Sequence, residues 1–94
     1  MAIISDIQLS TNRYFQDQSG AALTGSFVSQ SFGFSSFSIS IVNDAAGYIE
    51  YSFDGTEVHG RLHAGESRVM DFRRQRRIWL RGESGGESYR LEVY

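Results

Sequence analysis

The stretch "SFSISIVNDAAGYIEYSFDG", residues 36–55, decides the fold. Phe37, Ile39 and Ile41 alternate with Ser36, Ser38 and Ser40, which is the period of a half-buried strand and not the 3.6-residue stripe of a helix. Asn43-Asp44-Ala45-Ala46-Gly47 then reads as a turn, because Asn and Asp satisfy backbone groups locally and Gly accepts positive φ. Beyond it Ile49, Tyr51 and Phe53 point one way and Tyr48, Glu50 and Ser52 the other. Asp54-Gly55 is a hairpin signal.

The same alternation extends outward from this stretch. Upstream, Ile3, Ile7 and Leu9 share one parity against Asp6 and Gln8, and Leu23 and Phe27 begin a second run. Downstream, Val58, Gly60 and Leu62 face inward with His59, Arg61 and His63 outward. The turn Ala64-Gly65-Glu66 leads into Val69 to Phe72. Ile78 and Leu80 then oppose Arg77, Trp79 and Arg81, and after Ser84-Gly85-Gly86 a last strand aligns Tyr89, Leu91 and Val93. The expectation is an all-β chain: one domain over residues 1–94, an antiparallel β-sandwich or small barrel of about seven to eight short strands.

At 94 residues the chain removes about 60 to 65% of its unfolded surface from water on folding. It has no cysteine, so neither disulfides nor thiolate metal sites hold the core together. No apolar run approaches the roughly 20 residues that cross a bilayer, and no secretion signal opens the chain. Nine arginines, no lysine and eleven acids leave a net charge of −2, which gives no general attraction for nucleic acid. Residues 1–44 carry only Asp6, Arg13, Asp17 and Asp44 of the charged side chains. The uncharged run from Gln18 to Asn43 holds Phe27, Phe32, Phe34 and Phe37, a composition of either a flexible polar loop or a surface covered by a neighbour, the aromatics favouring the second.

His59 and His63 are four residues apart, a metal-binding spacing on a helix. On a strand their Cα atoms stand about 13 Å apart, too far to share one ion. They read as solvated histidines, and no metal or cofactor is expected. Asp54 or Glu57 beside His59, with Ser52 or Ser67 as nucleophile, matches no triad or nucleophile elbow, so no enzyme is expected. Asp54 is explained by the turn.

"DFRRQRRIWLRGE", residues 71–83, concentrates five arginines around one tryptophan. One reading is an anion-binding or protein-contact patch with Trp79 facing outward between Arg77 and Arg81, since Trp and Arg dominate interface hot spots. Another is a solvated turn whose charges pair with Asp71, Glu66 and Glu83. In a third, Trp79 belongs to the core.

"YIEYSFDGTEVHGRLHAGESRVMDFRRQRRIWLRG", residues 48–82, resembles small structural proteins of tailed-bacteriophage virions: a strand ending in Ser-Phe-Asp-Gly, a return strand, a Gly-Glu turn, then an Arg-rich segment before an apolar strand. The resemblance covers residues 41–94. It implies a β-sandwich capsid decoration or cement protein located in the virion, made in the host cytoplasm and homo-oligomeric, a trimer. Its partners would be the major capsid protein or other virion subunits, with no nucleic acid and no membrane. The candidate contacts are Arg73, Arg74, Arg76, Arg77 and Trp79, with Phe32 and Phe34 behind them. The alternatives are a head or tail completion component and a receptor- or carbohydrate-binding module stacking sugars on Tyr48, Trp79 and Tyr94.

Overall fold

A computed structural model describes residues 16–17 and 23–94. These residues hold eight strands: β1 (Gln16–Asp17), β2 (Val28–Ser31), β3 (Ser38–Asn43), β4 (Ile49–Ser52), β5 (Gly60–Leu62), β6 (Ser67–Asp71), β7 (Arg77–Gly82) and β8 (Tyr89–Val93). They form two four-stranded antiparallel sheets, ordered β1-β8-β3-β6 and β2-β7-β4-β5. The ladders β1·β8, β2·β7, β3·β6 and β4·β5 are those of one long antiparallel ribbon folded over on itself, which is the jelly roll. The chain therefore changes sheet at every connection except β4 to β5. The expected strand over residues 3–9 lies outside the described residues.

The period-two pattern becomes a single core between the sheets. Ile39, Ile41, Tyr89, Leu91 and Val93 from one sheet meet Ile49, Tyr51, Leu62, Ile78 and Leu80 from the other. Nearly all of them are wholly removed from water, and each buried aliphatic side chain contributes about 1.5–3 kcal/mol. Asn43 closes the β3–β4 turn as its residue type implies: Nδ2 donates to the carbonyls of Gly47 and Leu62, and Oδ1 accepts from the Ala45 amide.

Three local expectations are corrected. Residues 23–27 are not a strand; Leu23 is buried, but its backbone bonds Glu87 and Gly86, and pairing begins only at Val28. Asp54-Gly55 is not a two-residue hairpin, because Tyr51 pairs with Gly60 and residues 53–59 form a longer loop in which Val58 is exposed. Phe32 and Phe34, expected behind the docking contacts, are core residues at 0% and 9% exposure. They follow β2 in an irregular segment that turns inward at Gly33 (φ 80°), where the alternation seen in regular strands is no guide.

Candidate docking end

The loops β2–β3 (residues 32–37), β4–β5 (53–59) and β6–β7 (72–76) gather at one end of the sandwich, the first and third joined by backbone bonds and the second tied in by the Gln75 side chain. Ser36, fully buried, is the main clamp: its amide donates to the Gln75 carbonyl, its Oγ donates to the Arg73 carbonyl, and the Gln75 amide donates to that Oγ. The Phe32 amide donates to the Arg76 carbonyl, and Gln75 Nε2 reaches the Phe53 carbonyl at 3.4 Å. A serine with no room for solvent thus fixes the arginine loop from inside.

That loop presents its guanidinium groups with little to neutralise them. Arg73 lies 3.6 Å over the Phe53 ring, Arg74 Nε is 3.4 Å from Ser35 Oγ, and Arg77 stands 5.9 Å from the Trp79 ring centroid. Ion pairs among the described residues join Arg61 and Arg81 to Glu50 and Arg90 to Asp44. None involves Arg73, Arg74, Arg76 or Arg77. The acids that a solvated turn would have used are engaged elsewhere: Asp71 accepts from Ser38 Oγ, Glu66 from the His63 amide, and Glu83 from the Tyr48 amide. The pairing reading of the arginine run is therefore overturned.

Trp79 faces outward on β7, opposite Ser29 on β2 and Ser52 on β4, as the parity of Ile78 and Leu80 requires. It is nevertheless only partly accessible, because the β4–β5 loop folds over it. A Cβ built on Gly55 (φ 83°) would lie 2.9 Å from the indole Nε1 and Cε2. Ser52 and Asp54 hold the loop there. The amides of Asp54 and Gly55 donate to Ser52 Oγ, and those of Thr56 and Glu57 donate to the Asp54 carboxylate. The Glu57 and Thr56 amides, with the Ser52 hydroxyl, pull the Asp54 carboxyl from the ordinary 3.8 down to about 2. Asp54, read from the sequence as part of a hairpin turn, is a loop clamp, and His59 adds to it by accepting the Phe53 amide on Nδ1.

Next to Trp79 the outer face carries an ionic ladder that the sequence reading did not anticipate. Glu50 is 4% exposed although it points away from the core. Arg61 and Arg81 cover it, and their guanidinium groups lie 4.0 Å over Tyr48 and 4.4 Å over Phe27 respectively. Burial pushes the Glu50 carboxyl up, but the hydrogen bonds and charges of Arg61 and Arg81 outweigh it and hold the pKa below the ordinary value. Alternation placed Glu50 outward correctly. Its covering required knowing that β4 lies between β5 and β7.

The same end exposes two aromatic rings that sequence reasoning set in the core or passed over. Phe37 is 53% exposed and Phe72 74%, and they meet edge to face at 5.0 Å between centroids. Phe37 shares parity with Ile39, yet β3 starts one residue later and the ring hangs past the end of the sheet.

No protein family model matches this chain, and no curated protein does. Among solved structures it is similar to protein NMB1881 from Neisseria meningitidis, with a TM-score of 0.52 at 18% identity over 85% of this chain and 72% of that one. A protein of unknown function (DUF1255) from Acidithiobacillus ferrooxidans aligns at a TM-score of 0.47 and 24% identity, over 74% of this chain and 59% of that one. The likeness to the Neisseria protein is one of fold.

Proposed function

We propose that this protein is a non-enzymatic structural component of a virion, a capsid decoration or cement protein that docks on an assembled shell through the end carrying Arg73, Arg74, Arg76 and Arg77. The observation that carries the reading is the absence of a carboxylate partner for these four arginines among the described residues. Guanidinium forks on a loop whose backbone a buried serine clamps suit bidentate pairing with carboxylates on another protein. The resemblance of residues 41–94 to phage virion proteins points the same way. So does the jelly roll, an architecture used by capsid domains among others, as an argument from analogy.

Stabilisation would come from avidity: several modest footprints held in one rigid module, or in a trimer of such modules, act together without any one being strong. Sugar stacking is less favoured, because Gly55 covers the Trp79 indole and Arg61 covers Tyr48. The test compares rupture on heating, and on lowering salt, of particles assembled with and without the protein. Particles lacking it should open at lower temperature, and a variant with all four arginines replaced by serine should fail to add to preassembled shells. Equal resistance with and without the protein refutes the reading.

A further inference from the structure

Phe72 is the single non-glycine residue with positive φ among the described residues, at 63°. A bulky aromatic in the left-handed region is strained, and this one is also the most exposed large apolar side chain among the described residues, at 74%. Strain and exposure normally select against such a side chain. The fold even steadies it there: Phe37 packs edge-on against the ring, and the loop that begins at Phe72 is pinned from Arg73 to Gln75 by Ser36. Val69, on β6, is also exposed, at 61%.

We propose that Phe72, steadied by Phe37, is a preorganised anchor that enters an apolar pocket on a partner protein, with Arg73, Arg74 and Arg76 meeting carboxylates on the pocket rim. The proposal rests on the docking reading above and names the chemistry of its partner. An exposed apolar ring followed along the same loop by Arg73, Arg74 and Arg76 has the composition of an interface hot spot, and holding it in place beforehand removes the cost of ordering it on contact. A protein fits better than a phosphate-covered surface. Asp71 precedes the ring, and Asp54 and Glu57 stand on the adjoining loop whose Phe53 carries Arg73; these acids repel a continuous anionic sheet but leave one-to-one guanidinium–carboxylate pairs intact.

The experiment titrates the full chain with two synthetic peptides of equal charge, polyglutamate and alternating glutamate–leucine, and with phosphatidylserine vesicles. The alternating peptide should bind at least about tenfold more tightly than polyglutamate. Phe72→Asn should erase that preference while leaving the melting temperature unchanged or raised, since Asn tolerates the left-handed region. Arg76→Ala should weaken both peptides alike. Equal affinity for the two peptides, a preference that survives Phe72→Asn, tighter binding to vesicles than to either peptide, or self-association abolished by Phe72→Asn would each overturn the anchor. In the particle assay, protection retained by Phe72→Asn removes the anchor and leaves the docking reading standing, whereas no protection by the unaltered protein removes the docking reading itself.

Discussion

The Tyr51 ring occupies the space where Gly60 would carry a side chain: a Cβ built at position 60 falls among the ring's Cζ, Cε2 and hydroxyl atoms. The two residues pair across β4 and β5, and the tyrosine hydroxyl also accepts a hydrogen bond from Arg68 Nη1 at 2.9 Å, tying β6 to the facing sheet. Gly60→Ala should displace the ring and cost about 1–3 kcal/mol, read as a lowered thermal midpoint. A variant as stable as the parent would show that the ring has room to move.

Phe32→Ala should be a stability mutant and not a docking mutant. Its side chain is wholly buried beside Phe34, at 6.3 Å between ring centroids, and removing it should cost about 3–5 kcal/mol. Arg76→Ala, by contrast, should unfold within about 0.5 kcal/mol of the parent. Denaturant titration of the pair separates core from surface.

Glu50→Gln should destabilise by about 1–2 kcal/mol, a figure reduced from that of a sealed ion pair because Arg61 and Arg81 keep 46% and 34% of their side chains in water. The Glu50 carboxyl titrates below its ordinary 4.5 in the folded protein. Its contribution is therefore present above that pH and lost as pH falls through the depressed value. Asp54 behaves alike, its contribution fading from about pH 4 towards 2. Stability measured against pH should decline on the acid side for the parent and decline less steeply for Glu50→Gln and for Asp54→Asn.

Tyr89→Phe should be neutral or stabilising by about 1 kcal/mol. The tyrosine is 1% exposed and its hydroxyl has no hydrogen-bond partner among the described residues, so its burial costs the fold a desolvated polar atom with no bond in return. A marked loss of stability in chemical denaturation would contradict this.

How far the sequence discloses this structure depends on which physical signal each element carries. From Ser38 to Val93 the strands are legible because side-chain parity states directly which residues face the core: Ile39, Ile41, Ile78, Leu80, Leu91 and Val93 all do. Parity names a face, however, and not a neighbour. The placing of β4 between β5 and β7, and hence the burial of Glu50 under Arg61 and Arg81, is invisible to it. Phe32, Phe34 and Ser36 are buried on even positions and Ile39 and Ile41 on odd ones, so the phase slips across Phe37, and extrapolating from either side misplaces a phenylalanine. At the candidate docking end the outward face of Trp79 was readable. The folding of Gly55 over it was not, nor was the strained backbone of Phe72, since no residue type announces a left-handed phenylalanine.

The ladder arrangement also governs kinetics. Among the described strands only β4 and β5 are sequence neighbours that pair; β1 must find β8 and β2 must find β7 across most of the chain. Loop closure over such separations comes before any reward, which places refolding towards the milliseconds-to-seconds end for small domains. With no proline in the sequence, a slower phase on dilution from denaturant cannot be assigned to prolyl isomerisation and points to the search for that distant pairing.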